Sequence, residues 1–252
     1  IIGLLDAHKM VNVERAKKIA LDALDFILNH MQNGNDLKRV YHSGTLSVSA
    51  FLEDYATLIS ALISAFETSQ NRTYLYKAKD LTNHVIEHFS SESSSLFFST
   101  SKAKNEVNVR KVAYQDNVIP AANAVMAENL VRRGHVFLKN DYLERSKQML
   151  ATVFNSMDRD IEFFSYWGKL YQLFEANFYE IVISGPNAEK WLEEINGWFL
   201  PNKVVVLAVA NDNLLLSKDK HDEEKTRAFL CEKGLCHLPH TSLKSLENEI
   251  WN

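Results

Sequence analysis

Apolar residues recur with a helical period through most of residues 1–177, and this pattern constrains the fold more than any other feature of the sequence. The segment 14–31 shows it most clearly, with one apolar face made of Ala16, Ile19, Ala20, Ala23, Leu24, Ile27 and Leu28. Comparable helices are predicted at 49–66, 73–89, 117–134, 142–157 and 162–177. With a short piece at the start, the pattern predicts about seven helices joined by short connections.

These helices alternate in character along the chain. The segments 49–66, 117–134 and 162–177 are apolar or rich in small residues on nearly every side. The segments between them carry one charged face, which is typical of helices that meet water on one side only. Alternating buried and amphipathic helices favour two concentric layers. The sequence therefore predicts a mainly α fold, a partial toroid of helical hairpins over residues 1–178.

Two parts of the chain depart from the helical pattern. Residues 96–100 and 107–112 are strand-like and flank a polar turn, which predicts a β-hairpin insertion. After residue 178 the strand-like segments 180–185, 203–209 and 227–232 alternate with helical segments at 188–199 and 242–250. The first two strands and the helix between them predict a parallel βαβ unit. We expect residues 179–252 to form a small α/β subdomain packed on the helices.

Charge and composition narrow the classes of partner. The chain has 32 acidic and 28 basic side chains, and no Lys or Arg run resembles a nucleic-acid footprint. The apolar stretch 203–210 is far shorter than the roughly 20 residues that span a bilayer. Two cysteines favour a reducing compartment, and we expect a cytoplasmic protein without nucleic-acid or membrane partners. The chain opens in mid-pattern without Met, as expected for a piece of a longer protein.

Five stretches, in this order and at these spacings, carry a family resemblance. They are "AFLEDYATLISALISAFETSQNRTYL" (50–75), "VNVRKVAYQDNVIPAANAVMAENLVR" (107–132), "YEIVISGP" (179–186), "FLPNKVVVLA" (199–208) and "FLCEKGLCHLP" (229–239). Together they resemble the C-terminal region of the YyaL-like family of thioredoxin-domain-containing proteins, which includes a mammalian spermatogenesis-associated member. The resemblance covers essentially the whole chain.

The resemblance implies a thioredoxin-like domain followed by an (α/α)6 barrel, similar to the barrels of N-acylglucosamine 2-epimerase and the six-hairpin glycosidases. Because such a barrel has twelve helices, this chain is expected to hold an incomplete barrel without the thioredoxin-like domain. That domain is then an expected partner, and exposed inner-helix edges predict self-association of the truncated barrel. The sequence departs from the family pattern Pro-Ser-Gly-Asn, with Ala121 and Ala122 between Pro120 and Asn123. The departure removes a hydroxyl and a glycine from the motif and keeps the amide of Asn123.

Acidic residues at the starts of the apolar helices are the candidates for catalysis. Glu53 and Asp54 open the helix at 49–66, and Asp116 precedes the next apolar helix. In a toroid, the starts of the inner helices meet at one mouth, where carboxylates accept hydrogen bonds from sugar hydroxyls or act as acid and base. The alternative is that acids in a first turn only favour the helix dipole. Asp54 and Asp116 are the first candidates, and Glu53 is the weaker one.

Polar and aromatic residues near the same helix starts are candidate sugar-binding groups: Arg39, Tyr55, Arg110, Asn117, Asn123, Tyr166 and Trp167. Aromatic rings cover the apolar face of a sugar, while amides and cations bind its polar groups. The arginines are alternatively rim salt bridges. We expect Asp54, Asp116 and Trp167 to converge on one cavity. The sequence leaves open whether it binds a sugar or processes one by glycosidase-like or epimerase-like chemistry.

Histidine and cysteine spacing gives no clear metal or cofactor site. His84 and His88 lie four residues apart, without a third ligand on the same face, and are expected to be solvated. Cys231 and Cys236 have neither C-x-x-C nor zinc-knuckle spacing. They are open to disulfide pairing, to a mixed site with nearby histidines, or to thiol exchange with the implied thioredoxin-like domain. The last option makes the chain a non-catalytic scaffold or thiol-linked interaction module, the alternative function.

Overall fold

Nine α-helices occur in the part of the chain that the computed structural model describes, residues 1–103 and 109–251. The seven that precede the C-terminal sheet are α1 (Ile2–Val11), α2 (Glu14–His30), α3 (Leu52–Ser69), α4 (Arg72–Phe89), α5 (Ala122–Phe137), α6 (Asn140–Met157) and α7 (Ser165–Glu175). A short 3-10 turn, Ile161–Phe163, precedes α7. The two C-terminal helices are α8 (Ala188–Asn196) and α9 (Leu243–Trp251). The predicted mainly α fold is confirmed.

The helices form two layers. Along the inner row, α3 packs against α1 and α5, and α5 packs against α7. The outer helices α2, α4 and α6 pack on α1, α3 and α5 respectively, so each pair is a helical hairpin. Helix α3 buries residues on several sides, including Tyr55, Leu62 and Phe66, whereas α2 buries only its inner stripe. Burial therefore follows the predicted alternation of inner and outer helices.

The β-hairpin lies between α2 and α3, not where the sequence predicted it. Strands β1 (Gln32–Asn33), β2 (Asp36–His42) and β3 (Thr45–Ser49) form an antiparallel sheet. In the predicted region, the described residues 96–103 and 109–112 contain only an isolated bridge from Phe97 to Ser90, and residues 107 and 108 lie outside the described ranges. The β2–β3 turn has positive φ at Ser43 (48°) and Gly44 (81°), as hairpin turns of the primed type require.

The C-terminal part is a four-stranded sheet with strand order β5-β4-β6-β7. Strands β4 (Tyr179–Ser184) and β5 (Lys203–Leu207) are parallel and joined through α8, as the βαβ prediction requires. Strand β6 (Arg227–Glu232) runs antiparallel to β4, and the short β7 (Leu235–Cys236) pairs with β6. The domain boundary at residue 178 stays a prediction.

Both faces of this sheet are covered. Val182, Val204 and Val206 join the hydrophobic core of the helical layers. Ile181 and Val205 point the other way, into a second core shared with α8 and α9. In residues 1–103 and 109–251, no helix combines the length and the apolar character that crossing a membrane would require.

Candidate functional site

The inner helices border a polar cavity of about 380 Å³, which we call the inner-face pocket. All four inner helices contribute to it, together with the segment that leads into β5. Its polar lining is Asp6, Lys9, Ser60, Ser64, Glu67, Glu128, Asn129, Arg132, Tyr166, Lys169, Asn196 and Lys203. Trp198 and Phe199 supply aromatic surface. The volume lies in the range of roughly 300–1,000 Å³ that is typical of small-molecule sites.

An ionic cluster on α5 forms one wall of the inner-face pocket. Glu128 is 5% exposed, and its two oxygens accept hydrogen bonds from Arg132 Nε at 2.9 Å and Lys169 Nζ at 2.7 Å. Arg132 Nη1 also lies 3.5 Å from Glu67 Oε1. Burial alone would raise the pKa of Glu128, but the charges of Arg132 and Lys169 outweigh it and lower the pKa to about 2. Glu128 is therefore an ionised hydrogen-bond acceptor at neutral pH.

Tyr166 adds its phenol to this cluster. Burial raises the pKa of Tyr166 above its ordinary value, and the hydrogen bond to the charged Glu128 adds to this effect. The phenol therefore stays protonated and donates to Glu128. Of the residues singled out from the sequence, Tyr166 is the one that lines the inner-face pocket in the described part of the chain.

One residue that lines the pocket has a buried hydroxyl without a partner among the described residues. Ser64 on α3 is 7% exposed, and its Oγ makes no hydrogen bond. One turn earlier, Ser60 Oγ donates to Asn129 Oδ1 at 2.8 Å, and Asn129 Nδ2 donates to the Ala56 carbonyl at 2.9 Å. An unpaired buried polar group destabilises a protein by on the order of 1–3 kcal/mol, so a ligand that forms a hydrogen bond with Ser64 offsets this free-energy penalty.

Lys203, at the start of β5, also lines the pocket. Its Nζ donates to the carbonyls of Trp198 at 2.9 Å and Leu200 at 3.3 Å. Burial lowers the pKa of Lys203 to about 8, although the nearby Glu67 opposes this effect. Lys203 is therefore mostly protonated at pH 7, but it loses its proton at a lower pH than an ordinary lysine does.

The acids at the start of α3 lie outside the inner-face pocket. Asp54 Oδ2 accepts from the Phe51 amide at 2.8 Å, closing the first turn of the helix. Arg39 pairs with Glu53 at 2.5 Å and with Asp54 at 3.6 Å. Burial raises the pKa of Asp54, against the opposing effects of the Phe51 amide and Arg39. These contacts match the alternative interpretations, in which Glu53 and Asp54 are helix-start acids and Arg39 forms a salt bridge at the rim.

Asp54 and Arg39 do line a different cavity, of about 470 Å³, which we call the α3-start cavity. Its other walls come mostly from apolar residues of α1, α2 and α3, among them Ile2, Ile27 and Leu58. Its lining includes neither Asp116 nor Trp167. Among the described residues, the α3-start cavity therefore does not bring Asp54 together with Asp116 and Trp167, and the expected convergence stays a prediction.

Asp116, Asn123 and Trp167 bind the protein's own backbone. Asp116 accepts from the amides of Ala121 and Tyr166, both at 2.8 Å, and so links the starts of α5 and α7. Asn123 is fully buried, accepting from the Phe97 amide and donating to the Phe97 and Ala113 carbonyls. Trp167 is fully buried, and its Nε1 donates to the Tyr114 carbonyl at 2.7 Å. The sequence placed them near helix starts correctly, but their polar atoms are already used.

The remaining predicted ligand-binding residues also make internal contacts. Tyr55 is buried, with its hydroxyl accepting from the Leu37 amide and donating to the Asn35 carbonyl. Arg110 donates to the carbonyls of Thr100 and His88. Asn117 is exposed, and its Oδ1 accepts from the adjacent Val118 amide. These contacts order loops and helix starts.

The two cysteines form a disulfide between Cys231 and Cys236, which face each other across β6 and β7. Cys231 is buried and Cys236 is exposed. The alternative of a mixed metal site is not found, because His237 and His240 pair with Glu249. Among residues 1–103 and 109–251, no three His, Cys, Asp or Glu side chains are grouped to hold a metal ion. Thiol exchange at this disulfide stays a prediction.

His84 and His88 are half-buried rather than solvated. The His84 ring stacks on Tyr55 at a centroid distance of 5.3 Å and contacts His88 at 4.4 Å. The helix periodicity placed both residues on one face of α4, but it did not show that this face packs against α3.

The pocket residues that the sequence reading missed lie in the middle of the inner helices. Glu128 and Arg132 are four residues apart in α5, a helix otherwise composed largely of apolar and small residues. A charged pair at that spacing on a helix buried on most sides is unusual, because buried charges need partners. This signal was available and would have pointed to the pocket.

No protein-family model matches the chain. An uncharacterised protein of Caenorhabditis elegans is 26% identical over 100% of this chain and 36% of its own length. Spermatogenesis-associated protein 20 of Rattus norvegicus is 25% identical over 95% of this chain and 33% of its own length. The human protein of the same name is 25% identical, over 90% and 32%. The chain thus spans about a third of the length of these relatives.

Among solved structures, the chain is similar to a GH76 alpha-mannanase of Bacteroides thetaiotaomicron, with a TM-score of 0.54 and 16% identity. The match covers 93% of this chain and 63% of the mannanase, and it shows a shared (α/α)-barrel fold rather than a shared activity. The sequence matches confirm the resemblance read from the five stretches. The chain is similar to spermatogenesis-associated protein 20 along nearly all of its own length.

Proposed function

We propose that the inner-face pocket binds a carbohydrate. The observation that carries this proposal is the position and lining of the pocket, on the inner row of helices, with an ionised carboxylate, an amide, hydroxyls and an indole ring. Sugars need donors and acceptors for their hydroxyls and an apolar surface for their C–H face. The similarity in fold to a mannanase also supports carbohydrate binding, but it does not identify the sugar.

Each part of the lining has a role in this proposal. Glu128 accepts hydrogen bonds from sugar hydroxyls, because its low pKa keeps it charged. Ser64 supplies the hydroxyl that has no partner within the protein. The half-buried Trp198 ring covers the apolar face of the sugar.

Binding is better supported than acid–base processing. A glycosidase needs one carboxyl group with a raised pKa to protonate the leaving oxygen. Glu128 has the opposite shift, because Arg132 and Lys169 stabilise its charge. Asp54 does have a raised pKa, but it lies in the α3-start cavity and bonds to the Phe51 amide. We therefore place recognition of a sugar first and hydrolysis or epimerisation second.

Isothermal titration calorimetry with mannose, an α-linked mannobiose and N-acetylglucosamine tests the proposal. The variant Ser64→Met fills the inner-face pocket from α3, and we expect it to lower the affinity for the bound sugar at least tenfold. The matched control is Thr57→Met, two turns earlier on the same helix, which extends into the α3-start cavity. We expect the control to bind sugar as the unmodified protein does.

Two results contradict the proposal. Loss of binding in Thr57→Met with full binding in Ser64→Met would move the site to the α3-start cavity. Absence of binding of every sugar tested, neutral or charged, by the unmodified protein would remove carbohydrate recognition by this chain. Thermal unfolding of both variants shows whether either substitution changes the fold. The thioredoxin-like partner domain and the cytoplasmic location stay predictions.

A further inference from the structure

The charges that line the inner-face pocket do not balance. Four cations, Lys9, Arg132, Lys169 and Lys203, face three carboxylates, Asp6, Glu67 and Glu128. Lys9 pairs with Asp6 at 2.9 Å, and Lys169 pairs with Glu128 at 2.7 Å. Arg132 contacts both Glu128 and Glu67. The described lining therefore carries one positive charge more than it carries negative charges.

Lys203 is the cation left over by these pairs. Its ammonium donates to the carbonyls of Trp198 and Leu200, which are neutral acceptors, and it forms no ion pair with a carboxylate in the described ranges. Glu67 is close enough to favour its charge, while Lys9 and Arg132 oppose it. A partly buried ammonium without an anionic partner is destabilised, because carbonyl dipoles replace only part of its hydration.

Ser64 supplies a second and independent observation about the inner-face pocket. The residue lines the same cavity, its side chain is more than nine-tenths buried, and its hydroxyl has no partner among the described residues. Buried polar groups in folded proteins nearly always have a partner from protein, water or ligand. The pocket thus offers a spare cation and a spare hydroxyl, which together suit an anionic group attached to a polyol.

We propose that the sugar recognised in the inner-face pocket is anionic, and that Lys203 Nζ binds its carboxylate or phosphate oxygens. This inference rests on the proposed carbohydrate-binding function and adds the class of sugar. Carboxylate and phosphate groups share the chemistry that Lys203 recognises, because an ammonium binds either as a point charge.

The inference predicts how affinity changes with pH. The charged groups facing Lys203 are Glu67 from α3, Lys9 from α1 and Arg132 from α5. In the free protein the Lys203 ammonium loses its proton near pH 8, so anion affinity is highest below pH 8 and falls as pH rises above it. A bound anion raises the pKa of Lys203, so the fall begins near pH 8 and continues up to the higher pKa of the complex. Binding of a neutral sugar does not depend on this proton.

Calorimetry on the full chain with glucuronate, glucose 6-phosphate and glucose, between about pH 7 and 9.5, tests the inference. We expect at least one of the two anionic sugars to bind tenfold or more tightly than glucose at pH 7. That preference should decline above pH 8. Lys203→Gln should remove both the preference and its pH dependence, whereas Lys244→Gln, at an exposed position on α9, should change neither.

The outcomes separate the two proposals. Equal affinity for glucose and both anions would overturn the anion inference and leave sugar binding intact. No binding of any sugar would overturn both. Binding of only one anion identifies its group as carboxylate or phosphate. If Lys203→Gln does not fold, the pH profile of the unmodified protein decides, and a flat profile would overturn the inference.

Discussion

At the scale of single residues, ionisation depends on which partners each acid meets. Glu128 and Asp54 both lie on inner helices and are both partly withdrawn from water. Two cations contact Glu128 and lower its pKa, whereas burial dominates at Asp54 and raises it. Arg132 lies one turn after Glu128 in the sequence, but Lys169 comes from a distant helix, and the candidate acids were taken only from helix starts. Local reasoning therefore identified Asp54 and missed Glu128.

The Glu128 cluster predicts a stability change with a defined pH dependence. Glu128→Gln keeps the shape of the side chain and removes its charge. The pKa of Glu128 falls from an ordinary 4.5 to about 2, a shift that corresponds to on the order of 3 kcal/mol of folding free energy. Because the pKa is lowered by folding, this contribution is complete above about pH 4.5 and is lost as pH falls towards 2. Urea unfolding at several pH values measures it.

Glu144→Gln is the matched control for this prediction. Glu144 is an exposed acid on α6, paired with Lys147 three residues later at 3.1 Å. An exposed pair of this kind contributes less than about 1 kcal/mol, so we expect a small change that hardly varies with pH. A difference between unmodified protein and Glu128→Gln that persists unchanged from pH 7 to 3 would contradict the ionic origin of the effect.

Hydrogen bonds to the backbone explain why other predicted site residues are structural. Asp116 and Trp167 lie at helix starts, as their sequence positions indicate. Nothing in a linear pattern distinguishes a polar atom that faces a cavity from one that bonds to a loop carbonyl or amide. Asp116 accepts from two amides, and Trp167 donates to Tyr114. That distinction needs the path of the loop before α5, which local propensity does not determine.

At the scale of elements, helices were predictable and the hairpin was not. Helical periodicity extends over many residues and reports which face is buried, so α2 to α7 and their layers followed from it. The hairpin at 32–49 has short strands that are largely exposed, which leaves little hydrophobic alternation to detect. Its best signal is the Ser43–Gly44 pair, a two-residue turn typical of hairpins.

The turn after β4 gives a prediction at this scale. Gly185 has φ of 101°, and a Cβ there would overlap the Lys225 carbonyl oxygen and the Thr226 Cα. Gly185→Ala should therefore destabilise the fold by at least about 2 kcal/mol. The control is Gly168→Ala in α7, where a Cβ meets no atom within 4 Å, so we expect about 0.5–1 kcal/mol of stabilisation. Thermal unfolding compares them, and equal effects would contradict the close approach at Gly185.

At the scale of the whole molecule, the C-terminal sheet completes the pocket that the helices begin. Gln70, at the end of α3, donates to the Val205 carbonyl at 3.1 Å and accepts from the Leu207 amide at 2.9 Å. Arg72 donates to the Leu207 carbonyl at 2.7 Å. These bonds hold β5 against the helical layers and bring Lys203 to the inner face. The sequence predicted both parts, but it gave no sign that one cavity draws residues from both.

A crystal structure of the protein with the tightest-binding sugar of the two panels tests carbohydrate recognition by the inner row of helices most directly. We expect electron density for the sugar between α1, α3, α5 and α7, within hydrogen-bond distance of Ser64 and Glu128. Density in the α3-start cavity beside Asp54 and Arg39, with the inner-face pocket filled only by water, would contradict it.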